Sequence, residues 1–421
     1  MELACQLGRQ LGPARVMLAD SHLYHVWKPS LHEVAAGTLD IHQEGLSYQM
    51  LAHDRGFSYV YGALTALDPA ARRLTVDAIR DADGELVLPE RHIDYLSLVL
   101  AVGSVSHYFG VPGAAEHAIS LNGVEDAERF RLTMLKLLTR TEARTAGQHG
   151  VDIVIVGGGA TGVELAAELR EASGAYATYA AYGSGQLDPR RDVRITVLEG
   201  APRILAPLPQ RVADAALALL RERAITVVTG THVSEVGAGF VQAGATRYPA
   251  DLCVWAAGIA APPLLARLGL PTAKGGQIVV DATLAVPGHP DIYALGDCAA
   301  CPGADGKPVP PRAQAAHQQA AYLASILSSR EKDGVRPARP AAPYVYRDHG
   351  ALVSVGQRTS VGSLMGALRG AHWFVEGTLA RLMYASLHLM HHRAVLGTAR
   401  TAVLALARFL VRRGRPLVKL H

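Results

Sequence analysis

Residues 151–171, VDIVIVGGGATGVELAAELRE, decide how this chain is read. The first six are nearly all apolar and β-branched, the composition of a strand buried on both faces. GGGATG at 157–162 follows and fits GxGxxG through Gly157, Gly159 and Gly162. Gly157 suits a tight turn, Gly159 lets backbone approach a pyrophosphate, and Gly162 lets a helix pack on the strand. The helix N-terminus then offers unpaired N–H groups and partial positive charge to phosphates. Strand, glycine turn and helix in this order predict a dinucleotide-binding unit.

The next apolar run, DVRITVLEG (192–200), ends in Glu199. A carboxylate there can accept hydrogen bonds from both ribose hydroxyls of an adenosine. It lies about forty residues on, against the usual ~20, because Ala172–Arg191 lengthens the connection. An acid at this position disfavours a 2′-phosphate and predicts NADH over NADPH, while nearby Arg203 keeps the second cofactor open. Glu164 falls in the first turn of the helix. Two readings stay open for it: a place beside the nicotinamide, or an acid stabilised by the helix dipole.

Outward from this unit the pattern repeats. RVMLAD (15–20) reads as a strand ending in an acid, and LSLVLAVGS (96–104) as a strand running into a glycine turn. DLCVWAAGI (251–259) and DIYALGDCAA (291–300) are two more strands of that kind, and 123–146 has helical period. Strand-with-acid followed later by strand-with-glycine occurs once in roughly 1–104 and again in 151–258. Alternating strands and helices predict an α/β fold with parallel sheets. RPARPAAP (336–343) reads as a connector, after which the chain turns helical and basic.

A chain of 421 residues supports two or three domains with a sizeable core. With 49% hydrophobic and 19% charged residues it reads as folded rather than disordered. The net charge of +4 is uneven: residues 369–421 carry +8 and the rest −4. The first twenty residues lack a continuous apolar run, so no secretory signal is read. Four cysteines (Cys5, Cys253, Cys298, Cys301) without such a signal suggest a reducing compartment.

HVWKPSLHEVAAG (25–37), VWAAGI (254–259), YALGDCAAC (293–301) and PPRAQAAHQQA (310–320) together resemble type II, non-proton-pumping NADH:quinone oxidoreductases. AQxAxQ at 313–318 is the most specific element, because it separates that group from disulfide reductases. The resemblance covers essentially the whole chain. It implies two Rossmann-like domains, one for FAD and one for NADH, and a C-terminal helical region that binds membrane. The implied division is an FAD domain in 1–118 and 271–345, an NADH domain in 119–270, and a membrane-associated or dimerising region in 346–421.

By the same resemblance Asp20 holds the FAD adenosine ribose, and Ala101 and Gly103 line the flavin turn. Lys28, Ala257, Gly258 and Gly296 belong to the cofactor sites, and Asp297 meets the ribityl and pyrophosphate region. Residues around Gln314 and Ala315 lie under the isoalloxazine. Gln314 and Gln318 border the quinone pocket; with Glu164, read from its own place in the helix, they form the candidate catalytic set. The residue after that last Gln is often Glu in the family; here it is Gln319. The implied activity is two-electron reduction of a membrane quinone by NADH through FAD, with a homodimer possible. The implied place is peripheral on the inner membrane, at its cytoplasmic face.

The chain opens MELACQLG, matching Val163-Glu164-Leu165-Ala166 with no strand or glycine turn before it. In the doubly wound order that strand is central, so its loss predicts a split first sheet and poor FAD binding. A start set too late, a truncated flavin-poor protein and a rearranged strand are the readings that remain. Two other function classes stay beside the main one: a membrane-associated NAD(H)-binding protein without flavin chemistry, and a dithiol or sulfide flavoreductase. Cys298-Ala-Ala-Cys301 could be a redox dithiol, a metal clip or inert structure. Cys5 and Cys253 do not match the flavin-flanking cysteines of sulfide:quinone reductases.

The basic tail suits either nucleic acid or an anionic membrane, and its pattern decides. Leu379, Leu382, Met383, Leu387 and Met390 form one apolar stripe, with Arg381, His388 and His391 off it. Leu404, Leu406, Phe409, Leu410 and Val411 follow, then RRGR (412–415). Apolar face and arginine flank predict helices lying in an anionic membrane interface, with no span and no nucleic acid. A dimer or core-packing helix pair is the other reading. His388, His391 and His392, at helical spacing, read as interfacial polar residues or as metal ligands, with no metal expected.

Overall fold

The computed structural model describes residues 1–142, 150–180, 187–303, 306–333, 342–356, 359–365, 372–411 and 418–419. Most of the connector 336–343 and all of RRGR 412–415 lie outside these residues. The chain opens with helix α1 (Glu2–Leu11), which buries Ala4, Cys5 and Leu7. Strand β1 (Met17–Asp20) and the short helices α2 (Leu31–Ala36) and α3 (Ile41–Glu44) come next. Strand β2 (Ser58–Tyr61) pairs in parallel with β1, and β3 (Leu98–Leu100) comes later.

The second unit contains β4 (Ala118–Ser120), α4 (Val124–Glu142), β5 (Val151–Val156), α5 (Ala160–Ala180), β6 (Val193–Leu198), β7 (Ile225–Val228) and β8 (Leu252–Trp255). The chain then returns to the first unit with β9 (His289–Ala294) and α6 (Ala313–Asp333). It closes with an antiparallel sheet, β10 (Gly350–Ser354), β11 (Ser360–Met365) and β12 (His372–Glu376), and two helices, α7 (Gly377–Leu396) and α8 (Thr398–Val411).

The second sheet is five-stranded and parallel, in the order β4-β8-β5-β6-β7. The glycine-turn strand β5 is central and buried along its whole length, as a parallel strand covered on both faces must be. Helix α5 runs to Ala180, which accounts for the long reach to Glu199.

The first unit's parallel strands fall in two pieces, β1–β2 and β3–β9. In the second unit β5 joins the acid-ended strand β6 to β8. No strand among the described residues joins acid-ended β1 to β3, so the split expected from the sequence is present and a rearranged strand is not seen there. Both pieces share one core with α1 and α6, built on Val16, Phe57, Leu100, Tyr293 and Leu323.

The two units are stitched where their functional ends meet. Val105–Ser106 pair antiparallel with Ile259–Ala260, immediately after the glycine turns of LAVGS and WAAGI. Trp255 Nε1 crosses the same seam to donate to the His107 carbonyl at 2.9 Å. At the C-terminus, Val395 and Leu396 are buried in the first unit's core and Ala380 is buried as well. Among the described residues no helix is long and apolar enough to cross a membrane.

Candidate functional site

The turn after β5 has the geometry its glycines require. Gly157 has φ +112°, and a Cβ there would lie 2.8 Å from the backbone of Ala256 and Ala257. At Gly162 a Cβ would lie 1.9 Å from the Gly157 carbonyl oxygen, so α5 rests directly on the turn. A Cβ on Gly159 would meet nothing within 4 Å, which leaves open space in front of the turn. Glu199, just past β6, faces this turn. Its Oε2 accepts the Gly158 N–H at 2.6 Å and its Oε1 the Ala201 N–H at 2.7 Å. Arg203 is engaged by its own loop, donating to the carbonyls of Leu205, Ala206 and Leu208.

Across the seam a second polar group assembles. Lys28 Nζ donates to the Ser104 carbonyl at 2.7 Å, and Ser104 Oγ donates to Asp297 Oδ2 at 2.8 Å. Burial lowers the Lys28 pKa, against the pull of Asp297. Gly103 (φ +69°), Gly258 (φ +66°) and Gly296 (φ +72°) all take left-handed backbone at the strand ends. A Cβ on Gly258 would strike the Phe109 ring at 2.4 Å. Ala101 is exposed beside its turn, the Ala257 carbonyl accepts from Trp255 Nε1, and Ala315 is buried on α6.

At the end of β1, Asp20 accepts from the His22 backbone and ring, each at 2.9 Å, and from the Tyr48 hydroxyl at 2.9 Å. Burial pushes its carboxyl up, but these bonds outweigh burial and hold it below the usual range. His22 and Tyr48 had no sequence signal, because their roles come from loops folding back on Asp20.

Glu164 differs from the dipole-stabilised reading. It is the fifth residue of α5, not part of an exposed first turn, and it is buried. Its Oε1 accepts the Ser354 N–H at 3.0 Å, the Tyr384 hydroxyl also bonds it, and His32 Nδ1 lies 3.6 Å from its Oε2. Burial dominates and pushes its pKa up to about 8, with Glu33 adding repulsion. Burial also pushes Glu168 up to about 8 and draws His32 down to about 4. At neutral pH this group therefore holds a protonated carboxyl beside an uncharged imidazole. His32 lies four residues beyond Lys28, just after the turn Lys28–Ser30 passes into α2.

Gln314 and Gln318 share a face of α6, as their spacing requires. Both amides clamp the segment before β10. Gln314 donates to Asp348 Oδ1 and the Gly350 carbonyl and accepts the His349 N–H. Gln318 donates to the Arg347 carbonyl at 2.7 Å and accepts its N–H at 3.0 Å. Gln319 is buried, and its Oε1 accepts the Gly296 N–H at 2.7 Å, which ties α6 to the Asp297 turn. Between them, His317 binds Glu2, whose other oxygen lies 2.8 Å from His391 Nδ1. Burial raises the Glu2 carboxyl, but the two histidines overcome it and set it at about 2. Cys298 and Cys301 are both buried free thiols, pushed up to about 11 by burial.

The family model for pyridine nucleotide-disulphide oxidoreductases matches residues 1–320. The type II NADH:quinone oxidoreductase of Haemophilus influenzae is 33% identical over 440 aligned residues, covering 100% of this chain and 97% of that protein. The type II NADH:quinone oxidoreductase Ndh of Mycobacterium tuberculosis is 27% identical, over 87% of this chain and 77% of its own. Among solved structures, NDH2 from Plasmodium falciparum in complex with NADH superposes with a TM-score of 0.82 at 17% identity. That match covers 100% of this chain and 97% of that one and shows the same fold. The sulfide:quinone oxidoreductase of Aquifex aeolicus shares the fold more loosely, with a TM-score of 0.72 at 17% identity, over 94% of this chain and 89% of its own. With two stitched dinucleotide-type units and a relative matched along its full length, the chain belongs to the pyridine nucleotide-disulphide oxidoreductases and, within them, to the type II NADH:quinone oxidoreductases.

Proposed function

We propose that this protein oxidises NADH and passes two electrons to a membrane quinone through FAD. The observation that carries this reading is the seam between Val105–Ser106 and Ile259–Ala260. It brings the glycine-turn ends of both units side by side, an arrangement that suits two cofactors meeting end to end.

Residues 119–270 hold NADH. The turn at Gly157, Gly159 and Gly162 takes the pyrophosphate, and Glu199 takes the adenosine ribose. Residues 1–118 and 271–345 hold FAD. Asp20 suits its adenosine ribose, and the Lys28–Ser104–Asp297 chain with the left-handed turns at Gly103 and Gly296 suits its ring end. Bound FAD supplies a two-electron carrier that accepts hydride from NADH. The chain's own residues orient the reactants and supply the proton. Reduction of the quinone to quinol consumes the two electrons and the proton of one hydride from NADH, together with one further proton from solution. Glu164, protonated near neutral pH and bonded to Tyr384 and Ser354, is the group placed to relay that proton.

Gln314 and Gln318 fix segment 347–350, which we place at the quinone entrance. The exposed apolar side chains of α7 and α8 support a peripheral seat on the membrane, which we place at its cytoplasmic side. The buried, unactivated state of Cys298 and Cys301 supports a structural part for them and disfavours a dithiol mechanism.

The test is a spectrum and a turnover assay on purified protein with added FAD. NADH should bleach the flavin bands, and a quinone should restore them. Bleaching without restoration would rule out the quinone step, and no bleaching would rule out the flavin route.

Glu199→Ala should lower the preference for NADH over NADPH at least tenfold in kcat/KM. Arg203, already committed to three carbonyls, offers no ready 2′-phosphate site in the wild type. An unchanged ratio would mean that another residue reads the ribose.

A further inference from the structure

We propose that Glu44, His388 and His392 form a binding site for one divalent transition-metal ion of the zinc class, clasping α3 to α7. Each residue offers a ligand atom, and the three atoms lie within 4.8 Å of one another. On a tetrahedral zinc ion with bonds of about 2.0–2.1 Å, ligand atoms sit about 3.3 Å apart. Closing the difference takes about 1.5 Å at most, within reach of side-chain rotation on a fixed backbone.

The two histidines are one helical turn apart on α7 and their rings are stacked, with centroids 4.4 Å apart at 24°. His392 is buried, and its Nδ1 lies 3.0 Å from the His388 carbonyl. A carbonyl can only accept, so that nitrogen carries the proton and Nε2 keeps its lone pair for a metal. This is the arrangement by which a backbone carbonyl orients a ligating imidazole.

The three residues line a cavity of about 10 Å³, room for a single water-sized body. His25, His391 and Trp27 are among the other residues of its wall. His25 and His391 are bonded to each other at 2.9 Å and His391 to Glu2, so they serve as wall rather than ligands. Arg408 pairs with Glu44 Oε2, which leaves Oε1 to the ion and lets the guanidinium brace the carboxylate from behind. Two imidazoles and one carboxylate favour zinc and its neighbours over magnesium or calcium, which take oxygen.

The experiment titrates the full chain with zinc against a chromophoric chelator, with magnesium as a control. One equivalent should bind with micromolar affinity or tighter, and magnesium should not compete. His388→Ala and His392→Ala should each weaken binding at least tenfold, Glu44→Gln should weaken it as well, and the exposed His53→Ala should leave it unchanged. Cobalt substitution supplies a readout on the wild-type protein: four-coordinate visible bands without a thiolate charge-transfer band. The proposal fails if the wild type binds no zinc, if the double histidine variant binds it as tightly, or if cobalt reports thiolate or six-coordinate oxygen ligation.

Discussion

Glu164→Gln should become progressively more stable than the wild type as pH rises from 6 to 8, and should slow quinone reduction at least a hundredfold. The carboxyl is raised from 4.5 in the unfolded chain to about 8 in the fold. Between those values the native state keeps a proton that the unfolded state has lost. Wild-type stability therefore falls with rising pH by about 1.4 kcal/mol per unit from this group alone. Over the whole window the loss approaches about 5 kcal/mol, and it levels off above the folded pKa. Glutamine keeps an oxygen for the Ser354 N–H and the Tyr384 hydroxyl and carries no charge. The stability difference between variant and wild type should thus be flat below pH 4.5, grow through neutrality and plateau above 8. Urea unfolding of both proteins at pH 6, 7, 8 and 9 measures it. The kinetic arm follows from removing a positioned proton donor, worth about 10²–10⁴ in rate, while NADH should still reduce ferricyanide at its normal rate. A pH-independent stability difference would mean that Glu164 is ionised in the fold.

The contrast between Glu164 and Glu2 shows where sequence reading reaches its end. VELA at 163–166 and MELA at 1–4 put the two glutamates at matching positions of repeated units. One is raised to about 8 and the other lowered to about 2. Local sequence is nearly identical; the neighbours are not. Glu2 meets His317 and His391, more than three hundred residues away in the chain, whereas Glu164 is buried against the Ser354 N–H and the Tyr384 hydroxyl with Glu33 repelling its charge. The features that were legible are local. The glycine turn at 157–162, the acid ending the next strand, the repeat of that pattern and the shared face of Gln314 and Gln318 all follow from spacing within one or two elements. The features that were not legible join distant elements: Tyr48 on Asp20, Gln319 on the Gly296 N–H, and Ser354 and Tyr384 on Glu164. The dipole reading of Glu164 failed for the same reason. A helix N-terminus contributes only about 0.3–1 kcal/mol at an exposed site, which burial overwhelms.

The tail carries the second large expected effect. Leu382→Glu, Leu406→Glu and Leu410→Glu together should weaken binding to anionic vesicles at least a hundredfold while the fold and NADH oxidation persist. These side chains are 69%, 60% and 59% exposed, and Leu379, one turn before Leu382, and Val403, one turn before Leu406, are exposed as well. Ala380, Val395 and Leu396 of α7 and Thr401 of α8 are buried, so deleting the tail would breach the core. The surface substitutions leave it intact. Burying a leucine side chain is worth about 1.5–3 kcal/mol when complete, so even partial immersion of three yields several powers of ten in partitioning. Each new carboxylate adds repulsion of about 1 kcal/mol at an anionic surface. Long-chain quinone reduction in vesicles should fall with binding, while ferricyanide reduction in solution should hold. Undiminished sedimentation with the vesicles would show that this face does not touch lipid. A wild-type dimer that the triple variant converts to monomer, with vesicle binding unchanged, would assign the face to a second copy of the chain. Loss of vesicle binding with no change in oligomeric state leaves the lipid surface as its partner, and with it a route for a quinone that never leaves the bilayer.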